Sequence, residues 1–280
     1  RESVSGSPRG KAPRERLEEG LMTTPSPEKF FDVRITTRID FADDLWMIRV
    51  DPGREFHFAP GQYATLGVDN GNGLIERAYS IVSSPHEREI EFFFELVPQG
   101  ELTPLLYKLG PGDAITARKV AKGRFSLDTA SGRTKRFLLA TVTGVPPYVS
   151  YARWLQKESE EGKFAGEHKL FIVQGASRSC ELGYLAELQR LAMELPWLTY
   201  VPTVSRPWDD PEWSGETGRV DDIIRKYTDL WSLDTSTTCA YLCGHPDMIE
   251  HGKSILKRRG WKKDALKEEV YFILKHAAGE

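Results

Sequence analysis

The hydrophobic pattern of this chain changes its period close to residue 130, and this change limits the possible folds more than any other feature. Before it, apolar residues alternate with polar ones in short runs, as at Phe31, Val33 and Ile35, which is typical of antiparallel strands with one buried face. After it, apolar runs alternate with stretches of helical period, the pattern of a parallel sheet covered by helices. A chain of 280 residues is long enough for two domains, and the pattern predicts one of each class.

The first half predicts a small antiparallel, six-stranded β-barrel that ends near Asp128. Its β-rich segments are short, and turn signals such as Asp51-Pro52-Gly53 separate them. One helix-like segment, from Leu102 to Leu109, interrupts the strands. The predicted strands run from Phe31 to Ile39, Trp46 to Val50, Tyr63 to Val68, Tyr79 to Val82, Ile90 to Val97 and Ala114 to Ala117.

The second half predicts a Rossmann-like α/β domain with a mostly parallel sheet. Apolar residues recur at helical spacing in three segments, around Tyr148 to Leu155, from Leu185 to Leu195 and from Pro246 to Arg259. The stretch from Ser205 to Asp234, with tryptophans and prolines near its start, is interpreted as an insertion or a functional loop. The predicted strands run from Phe137 to Val142, Leu170 to Gln174, Leu198 to Val201 and Thr238 to Cys243.

Composition separates a tail from the folded part of the chain. Residues 1–28 are rich in charged residues, Ser, Gly and Pro and almost free of large apolar side chains. Such a segment cannot offset its own ordering entropy, so it is predicted to be a disordered tail. The predicted domains are then residues 29–130 for the barrel and residues 131–280 for the α/β domain.

The charge balance and the cysteine count exclude several classes of protein. The 38 basic and 41 acidic residues give a net charge of −3, which argues against the basic surface of a nucleic-acid-binding protein. No run reaches the roughly 18 consecutive apolar residues of a membrane helix, so we expect no membrane span. Cys180, Cys239 and Cys243 are not placed to form a disulfide, and the histidines form no metal-binding pair, so we expect reduced thiols, a cytoplasmic location and no metal site.

The most informative string is Arg77-Ala78-Tyr79-Ser80, which follows Pro60-Gly61-Gln62-Tyr63 and precedes Gly100-Glu101-Leu102-Thr103. In this order the segments resemble the flavin barrel of ferredoxin–NADP reductases. The resemblance implies that Arg77 pairs with the FAD pyrophosphate, that Tyr79 lies against the isoalloxazine ring and that Ser80 is near the flavin N5 edge.

The residue types suit these tasks, because a guanidinium matches phosphate oxygens bidentately and an aromatic face stacks on a planar ring. Backbone N–H groups at the start of the helix-like segment would serve the same pyrophosphate. The FAD-binding residues that the resemblance implies in this half are Arg77, Ala78, Tyr79, Ser80, Gly100, Leu102 and Thr103.

The segment Ala140-Thr141-Val142-Thr143-Gly144 resembles the first strand and turn of the family's nucleotide domain. The resemblance implies that Thr143 and Gly144 bind cofactor, the threonine contacting nicotinamide nucleotide and flavin. This chain departs from the family at Val142, where a glycine is common. A Cβ there narrows the approach of a pyrophosphate to the turn.

Three arginines of the second half, Arg178, Arg206 and Arg219, resemble those that clamp the adenosine 2′-phosphate of NADP in the bacterial reductases. A phosphate dianion is well served by several guanidinium donors, so the resemblance favours NADPH over NADH. At the first of these positions the family's arginine falls nearer Ser177 than Arg178.

The segment from Tyr241 to Met248, which contains Cys243-Gly244-His245-Pro246, resembles the family's nicotinamide pocket. It implies that Cys243 acts with Tyr79 and Ser80 in catalysis, as a small polarizable residue that lets the nicotinamide approach the flavin.

The C-terminus of the chain leaves three alternatives open. Reductases of this family cover the second face of the flavin with a terminal aromatic residue. One register puts Phe272 at that place and makes it a cofactor-binding residue, and the other puts Ala277 there. In the third interpretation, residues 270–274 form a simple edge strand.

The resemblance covers about residues 29 to 275 and implies a flavoenzyme, a bacterial-type ferredoxin/flavodoxin–NADP reductase. Such an enzyme transfers hydride between NADPH and FAD and single electrons to or from ferredoxin or flavodoxin, which are acidic carriers. A basic rim is expected from Lys108, Arg118, Lys119, Lys122 and Arg124. The alternatives are the reductase component of an oxygenase, a free-flavin or quinone reductase, and a non-catalytic nucleotide-binding subunit of the same fold.

Overall fold

The structure is a computed structural model that describes residues 29–270. The predicted tail, residues 1–28, lies outside this range. So do both candidates for the residue that covers the flavin, Phe272 and Ala277.

Six antiparallel strands form the first sheet. They are β1 (Phe30–Ala42), β2 (Leu45–Asp51), β3 (Tyr63–Asp69), β4 (Leu74–Ser80), β5 (Ile90–Glu95) and β6 (Ala114–Arg118), with the short helix α1 (Thr103–Leu106) before the last. Their spatial order is β4-β3-β6-β1-β2-β5. A bridge between Ile81 and Phe92 joins the two ends of this order, so the sheet curls into the predicted barrel.

The barrel is held together by side chains from every second residue of its strands. Trp46 and Ile48 of β2 point inward with Phe92 and Phe94 of β5, as the two-residue period of a strand requires. The residues between them are buried too, because Met47 and Phe93 pack against the second domain. Strands β2 and β5 are therefore covered on both faces, and they form the wall that the two domains share.

The second sheet is parallel throughout and carries helices on its faces. Its strands are β7 (Lys135–Thr141), β8 (Lys169–Ala176), β9 (Leu198–Val204), β10 (Glu216–Thr217), β11 (Thr238–Gly244) and β12 (Leu266–Val270). The helices are α2 (Pro146–Glu160), α3 (Leu185–Glu194), α4 (Val220–Leu230) and α5 (Pro246–Arg258). In the strand order β10-β9-β8-β7-β11-β12, the chain adds strands first on one side of β7 and then on the other. Open α/β sheets bind their ligands at such a switch point. The predicted fold class is confirmed.

A buried ionic cluster ties the two domains together. Glu91 of the barrel is fully buried and lies 2.7 Å from the Arg49 Nε atom and 3.3 Å from Arg153 of α2. Arg153 also pairs with Glu187 of α3 at 2.7 Å and with Glu87 at 3.6 Å. These charges raise the pKa of Arg153 further above its usual range, although burial opposes them. Two arginines thus compensate three carboxylates, of which Glu91 is fully buried.

The fourth predicted strand and the supposed loop of the second half differ from the structure, and β10 and β12 are not among the strands predicted for the second sheet. The fourth strand begins at Leu74 and not at Tyr79, because an edge strand exposes polar residues such as Arg77 and so lacks a continuous apolar signal. The supposed loop from Ser205 to Asp234 contains α4, whose buried residues Ile223, Ile224 and Tyr227 follow helical spacing. Charged residues between them interrupt the apolar pattern, so the sequence does not show the helical spacing clearly. Within residues 29–270, no helix combines the length and the apolar character needed to cross a bilayer.

Candidate active site

Arg77 and the segment from Gly100 to Thr103 lie side by side on the outside of the barrel. The Arg77 side chain is 46% exposed, and its guanidinium pairs with the Glu101 carboxylate, 24 residues away in sequence. Leu102 anchors the segment in the barrel core, and the Thr103 hydroxyl accepts a hydrogen bond from the Val97 N–H at 3.0 Å. A guanidinium can pair with a phosphate as it does with a carboxylate, so a ligand phosphate would bind Arg77 by displacing Glu101 or sharing the guanidinium with it.

Tyr79 lies on β4, an edge strand of the first sheet. Among the described residues, β4 forms its ladder with β3 alone, so its other edge is open and Ala78 is exposed. The Tyr79 ring meets the Phe94 ring edge-on, with centroids 4.7 Å apart. Burial raises the pKa of the Tyr79 phenol well above its usual range, so this side chain acts as a neutral aromatic surface. An open strand edge with an aromatic ring and a guanidinium suits a flat ligand that carries phosphates.

Side chains from both domains converge at the end of β4. Ser80 is buried, and its hydroxyl donates a hydrogen bond of 2.9 Å to the Glu269 carboxylate. Glu269 lies on β12 directly beside Cys243 of β11, and Cys243 is fully buried. The structure thus groups a hydroxyl, a carboxyl and a thiol at one point of the domain interface.

Glu269 received no role in the sequence interpretation, although it belongs to this group. Burial raises the pKa of its carboxyl above the usual range, and the hydrogen bond from Ser80 opposes that shift. A carboxyl of this kind keeps its proton to higher pH than an exposed one. Only the pairing of β12 with β11 brings Glu269 to Ser80, 189 residues away, so no local sequence signal could have identified it.

A cavity of about 450 Å³ opens at the carboxyl ends of the parallel strands. Arg206 and Arg219 line it, together with Ser177 and Ser205. Arg219 is oriented by the buried Asp221, whose carboxylate lies 3.4 Å from its Nε atom. For Arg206, no side-chain hydrogen bond or ion pair is found within residues 29–270. Both guanidinium groups can therefore receive an anion in the cavity.

Arg178 and Thr143 do not line this cavity. The Arg178 guanidinium pairs with Glu181 at 2.9 Å, while the neighbouring Ser177 lines the cavity instead. The turn after β7 contributes Thr141 and Val142 to the lining, and Thr143 follows them in the same turn.

Gly144 and Gly244 let the turn after β7 approach the end of β11. A Cβ on Gly144 would lie 2.2 Å from the Cys243 carbonyl oxygen, and one on Gly244 would lie 2.3 Å from the Thr141 Oγ1 atom. That Oγ1 atom accepts a hydrogen bond of 2.7 Å from the His245 N–H. These contacts hold the turn and Cys243 in fixed relation, and no residue with a side chain fits either glycine position.

Val142 is strained in the same turn. Its φ angle is 36°, in the left-handed region that is costly for a β-branched residue. Its side chain packs against both neighbouring apolar clusters and lines the cavity. The strain accordingly lies at the point where a nucleotide would approach the turn.

Comparing Val142→Gly with Val142→Ala isolates this strain. Both variants lose the valine packing, but only glycine removes the penalty of a positive φ. We expect the glycine variant to be more stable than the alanine variant by about 1 kcal/mol in urea unfolding. At an ordinary helical or extended position the order is reversed, with glycine the less stable by roughly 0.4–1 kcal/mol. Finding that reversed order here would show that the valine is unstrained.

Comparison with known proteins agrees with this geometry. The oxidoreductase FAD-binding domain model matches residues 32–126, and the oxidoreductase NAD-binding domain model matches residues 138–253. A flavodoxin/ferredoxin–NADP reductase of Buchnera aphidicola is 31% identical over 203 residues, which cover 71% of this chain and 79% of that protein. The flavodoxin/ferredoxin–NADP reductase of Escherichia coli is 32% identical over 197 residues, covering 69% of this chain and 76% of its own.

A crystal structure of a ferredoxin NADP+ reductase from Neisseria gonorrhoeae, with bound FAD and NADP, shares the fold. Its TM-score is 0.75 at 23% identity, and the match covers 87% of this chain and 99% of that one. The similarity extends over both sheets and their order along the chain. The chain belongs to the flavodoxin/ferredoxin–NADP reductase family, whose members are oxidoreductases with an FAD-binding and an NAD-binding domain.

Proposed function

We propose that this protein transfers hydride between NADPH and bound FAD and exchanges single electrons with a ferredoxin or a flavodoxin. The observation that carries the proposal is the convergence of the two halves. The open edge of β4, with Arg77 and Tyr79, ends at Ser80, and Ser80 is hydrogen-bonded across the domain interface to Glu269 beside Cys243. Groups suited to a flavin and groups suited to a nicotinamide nucleotide therefore meet at one place.

FAD would be held by the barrel residues that the geometry groups together. The Arg77 guanidinium and the backbone from Gly100 to Thr103 would take the pyrophosphate, and Tyr79 would stack on the ring. FAD, when bound, supplies the chemistry that side chains lack, because it takes up two electrons as a hydride and releases them singly.

The residues around Ser80 would position the reacting groups and exclude water. Ser80 offers a hydroxyl whose direction Glu269 fixes, and burial raises the pKa of the Glu269 carboxyl above its usual range. Cys243 offers a small buried thiol that leaves room for a planar ring. Hydride transfer needs close and fixed geometry more than it needs an acid or a base.

The electron carrier would approach a basic patch on the barrel. Lys119, Lys122 and Arg124 are exposed, whereas Arg118 is engaged by Glu76 at 2.7 and 2.9 Å. An acidic ferredoxin or flavodoxin would be steered to this patch, mainly through a faster, salt-sensitive encounter. We place the protein in the cytoplasm, where such carriers and NADPH are found together with reduced thiols.

The carrier part of the proposal is tested by mixing the purified protein with NADPH and either a ferredoxin or a flavodoxin under anaerobic conditions. We expect carrier reduction that slows as salt increases. Reduction of free flavin or a quinone with neither carrier reduced would favour a flavin or quinone reductase instead.

Removing the Arg77 side chain is expected to weaken FAD binding by about 10- to 100-fold, since a hydrogen bond to a charged group contributes roughly 1.5–3 kcal/mol. The measurement is flavin released on dilution, followed by its fluorescence. Arg190→Ala is the matched control, because Arg190 forms an exposed pair with Glu194 on α3. Equal flavin retention by Arg77→Ala and Arg190→Ala would remove Arg77 from the flavin site.

A further inference from the structure

Trp208 is more exposed than every other aromatic residue in the described part of the chain. Trp208 is 72% exposed, whereas each other Phe, Tyr or Trp of residues 29–270 is buried or half-buried. A single exposed apolar residue needs no explanation by itself. Trp208, however, lines the same cavity as Arg206 and Arg219, so a ligand bound there can contact it.

The loop that carries Trp208 is well anchored. The Arg206 N–H donates to the Ser177 carbonyl at 3.0 Å and the Asp209 N–H to the Arg206 carbonyl at 3.0 Å. The Asp210 carboxylate accepts from the Ser179 N–H at 2.7 Å. These bonds fix the backbone on both sides of Trp208 and tie it to the loop after β8.

The second tryptophan of this loop has a different task. The Trp213 indole N–H donates to the Glu216 carbonyl at 2.8 Å, and its ring packs on the cluster of Ala176, Leu182 and Val204. Trp213 therefore stabilises the loop, while Trp208 presents its indole to the cavity and solvent.

The chemistry of the proposed ligand explains this arrangement. In NADP the 2′-phosphate and the adenine are attached to neighbouring carbons of one ribose. A residue two positions from a phosphate-binding arginine is then within reach of the base. Stacking of a base on an aromatic side chain raises affinity by about 5- to 150-fold, and it does not depend on the phosphate.

We infer that Trp208 is the stacking surface for the adenine of the nicotinamide dinucleotide, next to the phosphate-binding Arg206. The inference rests on the proposed function, since it assigns a residue to the nucleotide that the enzyme would use. In this arrangement Trp208 gives affinity for NADPH and NADH alike, whereas Arg206 and Arg219 give the preference between them.

The test measures binding of adenosine 2′,5′-bisphosphate to the flavin-loaded protein by isothermal titration calorimetry. We expect Trp208→Ala to bind this probe about tenfold more weakly or worse and Trp208→Phe to stay within about threefold of wild type. Met193→Ala is the matched control, because Met193 is 81% exposed on α3 and lines no part of the cavity. It should bind as the wild type does.

A second measurement separates stacking from phosphate recognition. For Trp208→Ala, kcat/KM should fall by similar factors with NADPH and NADH, leaving their ratio within about threefold of wild type. Wild-type affinity for the bisphosphate in Trp208→Ala would overturn the inference and leave the proposed function intact. Failure of the wild-type protein itself to bind the bisphosphate would overturn both.

Discussion

Replacing Arg206 and Arg219 together by alanine is expected to reduce the preference for NADPH over NADH by about 100-fold or more. Each guanidinium can give the 2′-phosphate charge-assisted hydrogen bonds, which contribute roughly 1.5–3 kcal/mol apiece. About 1.4 kcal/mol corresponds to a tenfold change in binding. The loss of both arginines is therefore expected to lower the NADPH preference by about 100-fold or more. The measurement is the ratio of kcat/KM values for the two nucleotides, with NADH activity nearly unchanged.

Arg178→Ala tests whether Arg178 binds the 2′-phosphate, as the sequence resemblance implies, or lies outside the nucleotide site, as the structure indicates. Arg178 is held by Glu181 outside the cavity lining, so its loss should change the same ratio by less than about threefold. A double variant at positions 206 and 219 that kept its NADPH preference would contradict the phosphate clamp. A large effect of Arg178→Ala would show that this side chain leaves Glu181 to bind the nucleotide.

Replacing Arg153 by alanine is expected to lower the free energy of unfolding by about 3 kcal/mol. The arginine is 13% exposed and compensates Glu91, Glu187 and Glu87 at the domain interface. Breaking a buried ion pair by removing one partner costs roughly 3–5 kcal/mol, because a charge is left without compensation. The value expected here is at the lower end, since Glu91 keeps its pair with Arg49.

Urea unfolding of three variants tests this account of the interface. The control Arg190→Ala breaks an exposed i,i+4 pair and should cost no more than about 0.5 kcal/mol. Adding Glu187→Gln to Arg153→Ala should recover part of the loss, because within residues 29–270 Glu187 pairs with no cation other than Arg153. If Arg153→Ala were as mild as the control, the cluster would not hold the domains together.

The fold class could be predicted from the sequence because both sheets leave strong local patterns. The two-residue alternation of β1 and the apolar runs of β7 and β11 reflect burial directly. The sequence pattern predicts only the end of the edge strand β4, and it does not predict the helix α4. In both, charged residues on the solvent side interrupt the apolar pattern, and partners distant in sequence fix the element.

The residues of the candidate site also divide into those that a local motif identifies and those that only distant contacts identify. Arg77 and Tyr79 could be identified by resemblance because they occur in one short motif, and the structure brings that motif to the segment around Glu101. Glu269 could not, since its contact with Ser80 depends on the packing of two domains. Trp208 had no motif to mark it, and only its exposure in the cavity gives it a role.

The central claim is that one site, built by both domains, passes electrons from NADPH to a bound flavin. Its most direct test is an anaerobic titration of the purified protein with NADPH, followed by visible absorbance. We predict a yellow protein whose flavin absorbance is bleached stoichiometrically by NADPH and much more slowly by NADH. A colourless protein that does not take up FAD, or a flavin absorbance that NADPH leaves unchanged, would contradict the account.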